Sequence, residues 1–204
     1  MSKPTKSYSR SFTAGALMLT ESTALVDLYL DIKDWTQVKK DAVEKNILHA
    51  RTKASLIRMV RETVTRLSNF SDSQIALFSK SDKTTKQLLL WYAICKTFPF
   101  INEFAKEILH EKYLKLEPLL SLEDINVFFT KKAGWDEELE SKSESTKLKM
   151  KQVLLRMLRE AEFIDSNDRI LPAFLSAEFL SCMSSSGDWH HLYPAQAPIQ
   201  ENIR

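Results

Sequence analysis

The sequence predicts an all-α fold. It reads as mainly helical, with two helix-turn-helix-like units around an apolar helical middle, the C-terminal one carrying a small β-hairpin wing. Three observations predict this. Only 3 glycines stand among 204 residues, too few for a chain built on tight β-turns. Apolar residues recur at helical spacing through most of the chain. Residues that cap helices, Asp34, Thr52, Ser71, Asp82 and Ser121, stand just ahead of those periodic runs.

Residues 1–11 are polar and Ser-rich and read as a mobile N-terminus. The N-terminal helical unit spans 12–70. In it Phe12-Thr-Ala-Gly-Ala-Leu-Met-Leu19 docks ahead of a helix at about 21–32, whose buried stripe is Ala24, Leu25, Leu28 and Tyr29. Asp34 caps a helix over 35–45, with Trp35, Val38, Ala42 and Val43 at i, i+3, i+7, i+8 spacing. After the short connection Asn46–Ala50, Leu56, Ile57, Val60, Val64 and Leu67 fall within one arc of a second helix. Its opposite arc carries Arg51, Ser55, Arg58, Arg61, Glu62 and Arg66. Thr52 caps this helix, and its first turn holds Lys53 where the partial positive charge of a helix N-terminus favours acids. That inversion suits an external anion, and DNA phosphate is the obvious one. Two short helices, the second basic at its start, have the layout of a helix-turn-helix.

The central core helices span 71–120. Ser71 opens a short helix to about Ser79, and Asp82 caps another from Lys83. Leu88–Cys95 is apolar all round and is expected to be the most buried helix. Pro99 either ends it or opens the next at its first turn. Phe100, Phe104, Ile108, Leu109, Tyr113 and Leu116 keep helical period to Pro118 and read as core, because nothing polar converges on them.

The C-terminal winged-helix-like unit spans 121–180. Ser121 and Asp124 form an acidic capping box, Ile125, Phe128 and Phe129 make the face behind it, and Gly134 stops that helix. A brief helix around 135–139 precedes a longer one at about 144–162. The longer helix puts Met150, Val153, Leu154, Met157 and Leu158 on one side and Ser145, Lys149, Gln152, Arg156 and Arg159 on the other. Phe163-Ile164, the turn Asp165–Asp168 and Arg169-Ile-Leu171 read as the hairpin wing. A short helix at about 176–183 closes the folded part, and 181–204 reads as a loosely ordered tail.

Net charge is only +2 but unevenly placed. Residues 1–70 carry 12 Lys/Arg against 7 Asp/Glu, whereas 121–165 carry 8 against 10. A nucleic-acid surface would therefore be a patch and not the whole body. Cys95 and Cys182 form neither a disulfide framework nor a metal spacing and suit a reducing cytoplasm. His190, His191, Asp188 and Cys182 match no common zinc spacing, so no metal is expected. The apolar run Leu88–Cys95 is far short of a membrane span, and Leu17-Met-Leu19 is too brief for a signal-peptide core; a cytoplasmic protein without membrane contact is expected. No phosphate-binding Gly loop or acid, base and nucleophile set is present, so no catalytic residue, cofactor or small-molecule substrate is assigned.

Two functions from different classes fit. In one the protein contacts double-stranded DNA through Arg51, Thr52, Lys53, Ser55, Arg58, Arg61 and Arg66, and through Ser145, Lys149, Gln152, Arg156 and Arg169 of the second unit. In the other it is an assembly adaptor whose helical faces hold protein partners and whose charges are solvated surface.

Five stretches together resemble one family. They are Phe12-Thr-Ala-Gly-Ala-Leu17, Ala50-Arg-Thr-Lys-Ala-Ser55, Gln87–Lys96, Glu111-Lys-Tyr113 and Lys151–Ala161. In their order and spacing they are similar to the BrxA family, small proteins of bacteriophage exclusion (BREX) defence systems. The resemblance covers roughly residues 12–180. It implies a bacterial, cytoplasmic, non-enzymatic and mainly helical protein that binds DNA and works beside a methyltransferase, an ATPase and other BREX proteins.

Overall fold

The computed structural model describes Tyr8 and residues 12–196. Eleven α-helices stand among the described residues. The first three are α1 (Leu19–Ile32), α2 (Trp35–Glu44) and α3 (Lys53–Leu67), which pack on one another. Their ends are set locally. Asp34 caps α2 by accepting from the backbone N–H of Thr36, and Thr52 caps α3 by accepting from that of Ser55. Trp35 at the start of α2 stacks on Tyr29 of α1, with ring centroids 4.1 Å apart.

The connection between α2 and α3 spans residues 45–52, longer than the three- or four-residue turn of a helix-turn-helix. No glycine stands in it. Asn46 (φ 47°) and His49 (φ 50°) take the left-handed conformation instead. The Asn46 side chain makes this affordable to the backbone by clamping Ala50, accepting from its N–H at 2.9 Å and donating to its carbonyl at 3.2 Å.

Helix α4 (Asp72–Lys80) carries a full capping box of Ser71 and Gln74, and Asp82 caps α5 (Lys83–Thr97). Leu88 to Cys95 of α5 are all buried, as their apolar run requires, and α5 is the axis on which α1, α3, α4 and α6 (Pro99–Phe104) pack. Pro99 occupies the first position of α6, where its missing N–H leaves no intrahelical bond unmade. The helix continues as a π-helical turn, Ala105–His110, and then α7 (Glu111–Leu114). A π-turn inside a helix costs hydrogen-bond geometry and is often found where a side chain has a task.

Helix α8 (Leu122–Ala133) begins at the capping box of Ser121 and Asp124 and sets Phe128 and Phe129 edge-on to Phe100. The short α9 (Glu137–Glu140), capped by Asp136, leads to α10 (Glu144–Glu160), whose Met150, Leu154, Met157 and Leu158 are buried. Last comes α11 (Ala177–Met183), which lies on α4. One apolar cluster runs through all of these, from Tyr8 to Ala195.

Two expectations are corrected. The hairpin wing does not form: the described residues contain no strand, only isolated antiparallel bridges between Ile164 and Ile170 and between Leu119 and Arg169. The reason lies at both ends of the segment. Leu171 and Asp165 do donate across the turn to the carbonyls of Phe163 and Arg169, both at 2.9 Å, but the ladder goes no further: the Phe163 N–H is taken by the Leu158 carbonyl at the end of α10, and Pro172 has no N–H. The C-terminal unit is therefore helical without a wing. The second correction concerns 181–204. Over 189–195 this segment is packed, with Trp189, Leu192 and Tyr193 buried and Tyr193 donating its hydroxyl to the carbonyl of Leu88 at 3.0 Å. Residues 197–204 lie outside the described residues, as does the expected mobile N-terminus apart from Tyr8. Tyr8 itself is buried, and its backbone N–H bonds Asp136 at 2.6 Å.

Candidate nucleic-acid interface

The start of α3 is a helix N-terminus with no acid in its first turn. Its one side-chain cap is the neutral hydroxyl of Thr52, which accepts from the Ser55 N–H at 3.2 Å. Arg51, Thr52, Lys53, Ser55, Arg58 and Arg61 are all exposed there. Helix α2 contributes what the sequence reading missed. Its Lys39 and Lys40 line a cleft with Arg51 and Lys53 of the α3 side, and the cleft has a single acid, Glu44. The signal that could have found them is the adjacent pair Lys39-Lys40 in the turn of α2 before the connection; only packing shows that it faces α3.

Among the described residues Lys39, Lys40, Arg51, Lys53 and Arg61 make no ion pair, and Arg58 makes only a 3.2 Å hydrogen bond to the carbonyl of Thr13. Several basic side chains elsewhere are matched, Lys83 with Glu162 at 2.8 Å, Lys112 with Asp124 at 3.1 Å and Lys131 with Glu107 at 3.1 Å, whereas the unpaired ones outside the cleft are not, among the described residues, gathered in one cleft with a single acid. Four cations around one carboxylate leave a surplus that an anion of any origin would neutralise.

Arg66 does not belong to this surface. It is 1 % exposed. Its Nε pairs with Glu62 at 2.9 Å, and its two terminal nitrogens donate to the carbonyls of Gly15 and Ala16. The guanidinium also lies 5.5 Å from the centre of the Phe98 ring. Burial lowers its pKa, against the opposing pull of Glu62. The docking segment before α1 covers this part of α3, which is why helical periodicity alone placed Arg66 outside.

The second predicted face, on α10, is exposed but largely neutralised. Ser145, Lys149, Gln152 and Arg156 all face solvent. Arg156 is held by Glu160 at 2.7 Å, Arg159 by Asp168 at 2.6 Å and Lys147 by Glu144 at 2.9 Å. Lys149 and Arg169 are exposed and make no ion pair among the described residues. A cleft beside this helix places Lys83, Arg156 and Arg159 against Glu21, Glu160 and Glu162, with no surplus of either sign.

Cys95 is fully buried and burial pushes its thiol pKa well up, which makes it an inert core residue. No helix among the described residues is long and apolar enough to cross a membrane.

Comparison with known proteins places these features. A family model described as BrxA matches residues 6–187. The chain is 28% identical over 155 residues to a BREX protein BrxA of Bacillus cereus (strain H3081.97), which covers 74% of this chain and 78% of that protein. It is 25% identical over 169 residues to a BREX protein BrxA of Escherichia coli O9:H4 (strain HS), covering 83% and 79%. A crystal structure of an uncharacterized protein from Magnetospirillum magneticum superposes with a TM-score of 0.77 at 18% identity, over 91% of this chain and 96% of that one. At that identity the likeness establishes the shared fold.

Proposed function

Since the chain belongs to the BrxA family, we propose that within a BREX phage-defence system it is a non-enzymatic accessory protein that binds double-stranded DNA. The duplex meets it first at the cleft between α2 and α3. One observation carries this reading: Lys39, Lys40, Arg51 and Lys53 surround a helix N-terminus with no acid in its first turn, and among the described residues none of the four makes an ion pair. Backbone N–H groups at such a terminus and flexible lysines beside it are suited to phosphate, not to base edges, so the contact is largely independent of sequence. The α10 face, with its matched charges, contributes less. Other BREX proteins are its partners, and the setting is cytoplasmic, where the duplex is.

The test is fluorescence anisotropy of a labelled random duplex at several salt concentrations. Each phosphate neutralised contributes about −0.9 to the slope of log K against log salt. Lys39→Ala with Arg51→Ala should reduce the magnitude of that slope by about two. No binding at low salt, or an unchanged slope in the double variant, would overturn the assignment.

A second reading is supported by one separate observation. Leu114, Leu116, Leu119, Leu122 and Val127 are all more than half exposed or at that limit, close together in the chain from the end of α7 into α8. Exposed apolar side chains in such number suit a protein partner. Under this adaptor reading Leu116→Asp with Leu122→Asp abolishes co-purification with BREX proteins while duplex affinity is unchanged.

A further inference from the structure

Three of the four histidines of the chain meet at one place, although they are far apart in sequence. His110, at the end of the π-helical turn, is buried, and its Nδ1 lies 2.7 Å from the carbonyl oxygen of Tyr193. A carbonyl can only accept, so Nδ1 carries the hydrogen and Nε2 is left as a lone pair. That Nε2 lies 3.2 Å from Nδ1 of His191, which must therefore be the donor. The direction of the chain is now set, and Nε2 of His191 is the bare nitrogen.

This bare nitrogen faces Oδ1 of Asp188 at 3.4 Å, and Nδ1 of His190 faces the same oxygen at 3.5 Å. One ligand atom from each of Asp188, His190 and His191 lies within 4.8 Å of the other two. A lone pair set against a carboxylate oxygen is repulsive unless a cation sits between them. A proton would draw the pair to about 2.7–2.9 Å, the length of a charge-assisted hydrogen bond. The observed 3.4 and 3.5 Å are longer. They match the separation of about 3.4 Å between two ligands that each lie about 2.1 Å from a tetrahedral ion.

We propose that Asp188, His190 and His191 bind a divalent transition-metal ion of the zinc class, with His110 and the Tyr193 carbonyl as the hydrogen-bonded support that orients His191. Metal-ligating histidines are usually held in this way by a bond from the second ring nitrogen. Two imidazoles and one carboxylate are the donor types zinc takes, and they leave a fourth position open. The weak contact of Lys106 with Asp188, at 3.7 Å, is to Oδ2 and leaves Oδ1 available. Cys182, the fourth residue that proximity in sequence suggests, is directed to Ser73. The ion would pin the segment that carries Trp189, Leu192 and Tyr193 onto the π-helical turn, so binding is coupled to the stability of the C-terminal packing.

The experiment uses the full chain, stripped with a chelator, and zinc chloride alone as probe in calorimetric titration, with cobalt(II) as a spectroscopic substitute. One equivalent of zinc should bind, the melting temperature should rise on binding, and cobalt should give the intense visible absorption of a four-coordinate site. Asp188→Asn with His190→Gln should weaken zinc binding by at least about tenfold and remove the thermal shift, while Cys182→Ser and His49→Gln should bind as the parent does. Absence of saturable zinc uptake, or uptake of the same affinity in the double variant, overturns the site. Asp188, His190 and His191 are partly exposed, so the variants should keep the parent's circular dichroism. If the double variant does not, the cobalt spectrum of Asp188→Asn alone decides: its loss supports the site and its persistence overturns it.

Discussion

The indole Nε1 of Trp91 donates to the carbonyl oxygen of Leu192 at 2.7 Å, joining the middle of α5 to a segment 101 residues later. Trp91 has no exposed surface, and its ring meets Phe163 edge-on at 5.4 Å. Its side chain thus holds three parts of the chain at once.

Trp91→Ala should accordingly be the most damaging single change in α5. Removing a large buried aromatic costs about 3–5 kcal/mol through lost burial and the cavity left behind. The Leu192 carbonyl also loses its donor. Thermal unfolding followed by circular dichroism checks this, and a melting temperature within a degree or two of the parent's would contradict it.

Arg66→Ala should destabilise the fold without acting on DNA directly. The change leaves the carbonyls of Gly15 and Ala16 without the guanidinium that satisfies them. Breaking a buried charged contact by deleting one partner costs about 3 kcal/mol or more. In a chain of this size that is on the order of 6–12 °C in melting temperature. Arg61→Ala, an exposed neighbour with no ion pair among the described residues, should melt with the parent.

Arg58→Glu with Arg61→Glu should weaken duplex binding with no loss of helicity. Both side chains are exposed, so their replacement opens no cavity. Phosphate contacts carry no sequence information directly, and the weakening should be alike on unrelated duplexes. Anisotropy titrations on two such duplexes measure it; unchanged affinity on both would remove this part of α3 from the interface.

Lys149→Ala with Arg156→Ala on α10 should change the salt slope by less than the Lys39 and Arg51 pair does. Arg156 already neutralises Glu160 at 2.7 Å, so only Lys149 brings an uncommitted charge. A reduction of about one or below is expected, from the same −0.9 per phosphate. A reduction of two or more would mean that Arg156 leaves Glu160 for DNA.

Acid should weaken the contact between α8 and the α6 end of the fold. Lys132 Nζ lies 2.5 Å from carboxylate oxygens of both Glu103 and Glu107. Burial tends to raise the Glu107 pKa, but hydrogen bonds from Lys132 and Lys131 outweigh it and hold it below its ordinary value. A carboxylate with a depressed folded pKa contributes stability above its unfolded pKa and loses it as pH falls through the folded one. Burial lowers the Lys132 pKa, yet its two carboxylates win and raise it, so its own contribution is full below the ordinary lysine pKa and fades only at strongly alkaline pH. Urea unfolding from pH 7 down to pH 3 should therefore show a steeper loss of stability in the parent than in Lys132→Met. Parallel curves would contradict the linkage.

What the sequence determined by itself is local. Thr52, Ser71, Asp82 and Ser121 cap the helices that follow them, the all-round apolar run Leu88–Cys95 is buried, and the basic start of α3 is exposed. Caps and periodicity act within about one helical turn, so neighbouring residues carry their whole signal. What the tertiary structure decided depends on segments far apart in the chain. Arg66 sits on the polar arc of its helix but is buried, because the carbonyls that claim it belong to Gly15 and Ala16. The 163–171 segment closes only a single bridge on itself, and the outward N–H of Ile170 goes to the distant carbonyl of Pro118. Lys39 and Lys40 join Arg51 only when α2 packs on α3. Asp188, His190 and His191 match no metal spacing as a string, and it is His110, brought alongside by the packing of the π-helical turn on the C-terminal segment, that orients His191. Long-range partners leave no periodic trace in a sequence, since each contact sets the position of one side chain and not the repeat of many.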